Sequence, residues 1–415
     1  MLNRILRIAV FAGALSSMLL AQGVTATILG TVTDASGASV SGATITVQNV
    51  SKGNTRTAKS GGSGEFEFGQ LTPADTYTVT AQLQGFKQAA KSGIVLQTGQ
   101  SLRIDLSLSP GEVTETITVA AEAAQLQTEE ASTGGVVGEK QVAELPLNGR
   151  QFWQLSQLVP NVFPPTQNSG LGFRGGFNVS GHDEVTNNYI LDGVDNEDGT
   201  TMQPTVRPSV DGIQEFRVLT GIYQAEYGRY AGGQILITTK SGNNQFHGTA
   251  FEFLRNSALD ARNFFSPTLA PFRRNQFGAS GGGRIVANTT FFFGTYEGLR
   301  ASSQSSGITS VPTAAMARGD VTGLAGITAA ARTNYGIGTD NIIPASRLDK
   351  TSLALLKYYP APTGPGVLNN YNYSLVGSEN TNQFSGRIDH VLGARDTIFG
   401  TYQYSKRTAY CFASS

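Results

Sequence analysis

Only one stretch of this 415-residue chain approaches the apolar length of a membrane-spanning helix, and it falls short of it. Ile8 to Leu20 is a 13-residue run behind Arg4 and Arg7 and ahead of the small residues Ala21, Gly23 and Ala26. A spanning helix needs about 20 apolar residues. A basic flank, a short apolar run and small residues make a secretory signal instead. Residues 1–23 are therefore expected to be a signal peptide, with cleavage between Ala21 and Ala26. An exported chain without a second such run can enter a bilayer only through β-strands.

Composition agrees. Glycine supplies 50 of 415 residues and charged side chains only 14%, against roughly 7% and 25% in ordinary globular chains. This disfavours coiled coils and long surface helices and favours strands, turns and polar loops. Thirty basic and thirty acidic residues cancel, so there is no nucleic-acid footprint. The single cysteine, Cys411, excludes a disulfide framework and a cysteine-based zinc site. His182, His247 and His390 match no metal-ligand spacing. No cofactor, metal site or catalytic residue is expected, and the chain does not read as an enzyme.

The pattern divides the chain into a mainly β series of units. Residues 24–109 show short strands at 26–33, 43–49, 55–60, 65–68, 76–83 and 101–108, separated by Gly, Pro and Asp turns. Such spacing predicts a β-sandwich, with Phe66, Phe68, Tyr77 and Phe86 at core positions. Residues 110–124 read as a linker with one β-prone patch. Residues 125–244 follow as an α+β unit, with a helical stretch over 151–159 and strands at 187–194, 213–219 and 234–239. Over 245–415, roughly ten-residue segments alternate, the weak signature of an outer-membrane β-barrel. There Arg387 and Asp389 share one face of a strand while Phe384 and Ile388 share the other. Residues 300–345 read as a long polar connection.

The first unit resembles the carboxypeptidase regulatory-like domain, a transthyretin-like sandwich. The resemblance rests on Gly30-Thr-Val-Thr-Asp34, Val40-Ser-Gly-Ala-Thr-Ile-Thr-Val47, Gly64-Glu-Phe-Glu-Phe68 and Gly85-Phe86. An ordered set of motifs follows. It comprises Leu145-Pro-Leu-Asn-Gly-Arg150, Leu191-Asp-Gly-Val-Asp-Asn196, Ser209-Val-Asp-Gly-Ile-Gln-Glu-Phe216, Ala225-Glu-Tyr-Gly-Arg229, Thr239-Lys-Ser-Gly242, Arg274-Asn-Gln-Phe-Gly278 and Thr290-Phe-Phe-Phe-Gly294. This set resembles the plug and early barrel of TonB-dependent outer-membrane receptors, within them the Oar-like group. The resemblance implies an N-terminal sandwich, an α+β plug and the first strands of an incomplete outer-membrane β-barrel. It implies an outer-membrane location, contact with outer-membrane lipid, and a small substrate such as a siderophore, oligosaccharide or peptide.

It also gives the linker a meaning. Glu115, Thr116, Ile117, Thr118, Val119, Ala120 and Ala121 resemble the TonB box, an extended segment that joins the periplasmic domain of TonB by β-augmentation. A last strand of the sandwich or a plain linker is the alternative for the same residues. Three other motifs invite chemistry that their context withholds. Gly170-Leu-Gly-Phe-Arg-Gly175 lacks the strand and helix of a dinucleotide site. Ser280, in Gly278-Ala-Ser-Gly-Gly282, lacks the helix of a nucleophile elbow. Asp192, Asp195, Glu197 and Asp198 miss calcium-loop spacing and read as a polar turn.

Residues 245–415 number 171. At about ten residues per strand they hold roughly six to eight strands, short of the 22 in plugged transporters. The expectation is therefore a fragment or frameshifted reading of a longer receptor. An exported adhesion protein, using the sandwich as a carbohydrate-binding module, is the alternative.

Overall fold

The computed structural model describes residues 25–111, 116–120, 129, 131–147, 149–164, 176–200, 202, 204–228, 230–262, 264, 269–393 and 396–414. The signal segment, Glu115, Ala121 and the Gly170 to Gly175 motif lie outside them.

The N-terminal region is a two-layer sandwich. Its strands are β1 (Ala26–Asp34), β2 (Thr44–Asn49), β3 (Thr55–Lys59), β4 (Glu65–Leu71), β5 (Thr76–Gln82), β6 (Gln88–Val95), β7 (Ser101–Arg103), β8 (Leu106–Leu108) and β9 (Thr116–Ala120). One sheet runs β4-β1-β7, with β8 also on β1, and the other runs β3-β2-β5-β6-β9. Alternation places Ile28 and Val32 of the first sheet against Ile45, Val47, Val79 and Ala81 of the second. Phe66, Phe68 and Tyr77 are buried in this core, and Phe86 packs against it, so these rings form no exposed sugar-stacking platform. Gly30 is required where it stands, since a Cβ there would fall on the Ile104 carbonyl.

Next come β10 (Gly134–Gly138), α1 (Glu139–Glu144), β11 (Val162–Phe163), β12 (Asn178–Val179), β13 (Asn188–Leu191), β14 (Val194–Asp195), β15 (Ile213–Leu219) and β16 (Gln234–Thr239). Five of these strands form one sheet in the order β10-β15-β16-β13-β14. Its core joins Phe152, Leu155, Val159, Phe177, Tyr189, Phe216, Val218, Ile235 and Ile237. The helical stretch expected over 151–159 is a 3-10 helix, Phe152–Leu158. Phe152 and Leu155 stand three apart, the spacing that a 3-10 turn brings onto one face, and Pro160 prevents extension. The strand expected over 187–194 is cut into β13 and β14 by a two-residue turn. Asp192 and Gly193 both have positive φ, 49° and 87°. That is the type I′ geometry whose twist matches paired strands.

The last sheet is formed by β17 (His247–Asn256), β18 (Phe272–Val286), β19 (Thr290–Thr309), β20 (Tyr371–Val391) and β21 (Thr397–Ser414), neighbours in chain order. Five strands stand among the described residues rather than six to eight, because four of them run 15 to 21 residues. On β19, Phe291, Phe293, Thr295 and Glu297 are buried and Tyr296 is exposed. On β20, Arg387 and Asp389 are buried while Phe384 and Ile388 are 46% and 55% exposed. The covered face thus mixes two phenylalanines with four polar side chains, while Tyr296, Phe384 and Ile388 stand on the open one. The long connection begins later than expected, after Thr309, and ends before Tyr371. It carries α2 (Ala329–Tyr335) and α3 (Lys350–Leu355), capped by Thr328 and Asp349, whose side chains accept from Ala331 N and Ser352 N.

The chain divides into two compact units. The first comprises Met1–Phe251, Gly278–Glu297 and Gln383–Ser405; the second comprises Glu252–Phe277, Gly298–Asn382 and Lys406–Ser415.

Candidate functional site at the plug and the box strand

Every contact described here lies within the first unit. The Asp192-Gly193 turn aims a buried carboxylate at β16. Asp192 accepts from Thr239 N at 2.9 Å and from Thr239 Oγ1 at 2.7 Å. Arg387 of β20 completes the group. Its Nη1 lies 3.2 Å from Asp192 Oδ1, and its Nε and Nη2 donate to Asp389 at 2.9–3.1 Å. The Phe399 ring closes one side of the guanidinium at 4.5 Å. Arg387, Asp192 and Asp389 are each less than 10% exposed. A guanidinium fork shared by two carboxylates is directional and strong, yet it consists only of non-covalent bonds that a competing load can open.

A second latch lies at Arg150. Its guanidinium pairs with Asp211, sits over the Phe251 ring at 3.9 Å and approaches Glu297 at 3.7 Å. Ser209 Oγ donates to Glu297 at 2.6 Å. Plug residues thus meet the inward faces of β17, β19 and β20 through charge-assisted bonds. Beside the Arg387 latch lies an open polar cleft of about 1290 Å³, bordered by Arg56, Asp75, Lys240 and His247.

The plug sheet is covered on its other face by the sandwich. The Thr98 N–H and hydroxyl both meet Glu215 Oε1, and Thr98 Oγ1 lies 2.9 Å from Thr238 Oγ1. Arg217 donates to the Thr98 carbonyl at 3.0 Å and to Ser132 at 3.1 Å. Burial pushes the Glu215 carboxyl above its ordinary range, against the opposing pull of Thr98 and Arg217. The carboxyl therefore binds its proton more tightly in the folded chain. Its contribution to stability falls as pH rises from the ordinary carboxylate value through the raised one. Glu215→Gln keeps an acceptor oxygen without the charge. Its stability advantage over the parent is expected to be largest near pH 7 and to shrink towards pH 5, read from paired thermal unfolding curves.

The residues expected to form the TonB box fall in two places. Glu115 and Ala121 lie outside the described residues. Thr116–Ala120 forms β9 and pairs in parallel with β6, from Gln88↔Thr116 to Ser92↔Ala120. The chain is led there by Lys87 N donating to the Ser109 carbonyl at 2.8 Å and Gly111 N to the Gly85 carbonyl at 3.1 Å. Over these five residues the segment is thus the outermost strand of the second sandwich sheet, the placement kept open as the alternative to the box.

The other motifs are structural in place. Ser280 lies within β18, its Oγ 2.8 Å from Thr249 Oγ1. Glu197 accepts from Tyr189 N, and Asp195 and Asp198 accept from the backbone two residues on. Sequence reasoning read Asp192 only as part of a polar turn and assigned no role to Arg150, Asp211, Glu215 or Arg217. The Asp-Gly pair between apolar residues was a readable hairpin signal. That Arg387 and Asp389 share a strand face was readable, but not that Asp192 joins them.

Three family models tile the described chain. A carboxypeptidase regulatory-like domain matches residues 27–109, a TonB-dependent receptor plug domain matches 131–234, and an outer membrane beta barrel domain matches 238–413. In this order they are the domains of a TonB-dependent outer-membrane receptor, and the chain is similar to that family from residue 27 to 413. The chain is 28% identical over 316 residues to the TonB-dependent transporter Oar of Myxococcus xanthus, a match covering 70% of this chain and 28% of that protein. The chain thus spans well under a third of this relative's length. Two solved structures are also similar. The ferric-catecholate import receptor Fiu from E. coli K12 has 15% identity over 68% of this chain and 39% of its own, with a TM-score of 0.31. The siderophore receptor PirA from Pseudomonas aeruginosa has 13% identity over 69% and 43%, with a TM-score of 0.32. The matched plug and outer membrane beta barrel domains indicate an outer-membrane location.

Proposed function

We propose that this receptor serves TonB-driven passage of a small solute across the outer membrane, its plug occluding the lumen that the β17–β21 strands begin to enclose. The observation that supports this reading best is the Arg387 latch. An occluding domain must be seated firmly and still be movable. Asp192 and Thr239 of the plug are held to Arg387 and Asp389 of β20 by a buried, exchangeable ion network. An open sheet edge is not tolerated in hydrocarbon, so passage requires the β17 and β21 edges to be closed by further strands. The cargo class, siderophore, oligosaccharide or peptide, is set by loops that carry no readable code.

In this reading, residues 115–121 are the segment that TonB captures. A flexible strand adds to a partner's sheet through backbone bonds, and proline removes the donor and the extended pairing together. The chain carrying Ile117→Pro and Val119→Pro is expected to lose capture by a periplasmic TonB domain at least tenfold in a pull-down from solubilised outer membrane. Equal capture of parent and variant would overturn the assignment of the box.

A further inference from the structure

We infer that the β6 edge of the N-terminal sandwich is a strand-binding site that holds the box in cis, so that TonB must displace the sandwich before it can pull the plug. This rests on residues 115–121 being the TonB-capture segment. TonB engages such a segment as a β-strand; Thr116–Ala120 is already a β-strand with a partner. One face of a backbone ladder cannot be shared. While the β6-facing donors and acceptors of Thr116–Ala120 are paired with Gln88–Ser92, they are closed to any other strand.

The geometry suits a releasable clasp. β9 is the last strand in the order β3-β2-β5-β6-β9, so a single ladder retains it. That ladder is parallel, the slightly weaker pairing per residue, and only five residue pairs long. Short edge elements with few backbone bonds open at the low end of a protein's range of local free energies.

The approach to the strand is built with the same specificity. Ser109, Pro110 and Gly111 lie beside Gly85, Phe86 and Lys87, directly before β6 begins, through two backbone hydrogen bonds and a bridge between Phe86 and Pro110. Gly111 has φ +153°, and the place of its missing Cβ is filled by the Lys87 methylenes at 2.6 Å. A side chain at 111 would have to displace the Lys87 methylenes and hold a φ that L residues rarely adopt, which strains the path from Leu108 to β9. The clasp is a population tax on TonB: apparent affinity falls in proportion to the fraction of chains whose box is free. Whatever loosens β6 from β9 then raises capture without changing the box.

The test uses the full chain in solubilised outer membrane with Cys411→Ser as background. Ala90 and Thr118 are Cα partners across the ladder, and neighbouring strands lie about 4.8 Å apart, within disulfide reach. Ala90→Cys with Thr118→Cys is expected to cross-link on mild oxidation, verified by mass. Oxidised protein should bind the periplasmic TonB domain at least tenfold more weakly than the same protein after reduction. Gly111→Val should act in the opposite sense and raise capture twofold or more. Failure of the cross-link to form, or equal binding of oxidised and reduced protein while the Ile117→Pro, Val119→Pro chain has lost capture, overturns the clasp and leaves the box assignment standing. If the proline chain is captured like the parent, the box assignment fails and the clasp fails with it.

Discussion

Arg387→Ala is expected to destabilise the plug by about 3–5 kcal/mol, the usual effect of removing one partner from a buried charge network. The size follows from what remains. Asp192 and Asp389 are 7% and 3% exposed, and without the guanidinium they become two buried like charges facing each other across the space it filled. Asp192 keeps Thr239 as donor, whereas Asp389 loses both the Nε and the Nη2 bonds. The measurement is convenient because Trp153, the single tryptophan, lies beside the plug core. Its fluorescence in a urea titration reports the plug. A midpoint unchanged from the parent would show that the latch adds nothing to plug seating. Arg387→Lys should fall between the two, since an ammonium keeps the charge but cannot bridge both carboxylates as a planar fork does. Protection of the β13 and β16 amides from hydrogen exchange should fall in the same order.

That latch also marks where reading the sequence stops. Arg387 and Asp389 were visible as sharing one face because a strand alternates with period two. Asp192, 195 residues earlier, carries no local sign of being their partner. The sandwich was legible for the same reason of period: Tyr77, Val79 and Ala81, then Leu102, Ile104, Leu106 and Leu108, alternate and are all buried. β6 was missed, because Gln-Ala-Ala-Lys-Ser-Gly-Ile-Val does not alternate and its strand character comes from its two neighbours. The box strand was ambiguous on the same grounds. Thr-Ile-Thr-Val-Ala suits any sheet edge, and which edge it takes is a tertiary matter. The outer part of β19 was read as loop, since Ala301 to Thr309 is polar on both faces and is held by its ladder rather than by hydropathy. Motif order, by contrast, survived every such gap, because it reflects backbone turns and close approaches that few residues satisfy.

Phe216→Ala is expected to cost about 3–5 kcal/mol, the range for emptying a buried aromatic site that can collapse only partly. Phe216 is fully buried and its ring meets Phe152 edge to face, with centroids 5.6 Å apart. Phe152 meets Trp153 in turn at 5.2 Å, so the tryptophan signal reads the cavity almost directly. The prediction is specific because β15 works on two faces at once. Phe216 and Val218 point into the plug core, while Glu215 and Arg217 point at Thr98 of the sandwich. Two-sided burial is why this central strand and the β16 strand beside it lack a solvent-exposed face. The two faces should therefore separate by mutation. Phe216→Ala should lower the Trp153 midpoint strongly. Thr98→Val, which removes the hydroxyl from Glu215 and Thr238 but keeps the backbone donor, should cost about 1–3 kcal/mol for the polar partners left unmet. Its effect should appear first as faster exchange of the Thr98 amide and its neighbours, with the tryptophan signal shifted less. Equal midpoint losses in the two variants would mean that sandwich and plug sheet unfold as one body, and that seating the sandwich is as necessary to the plug as its own aromatic core.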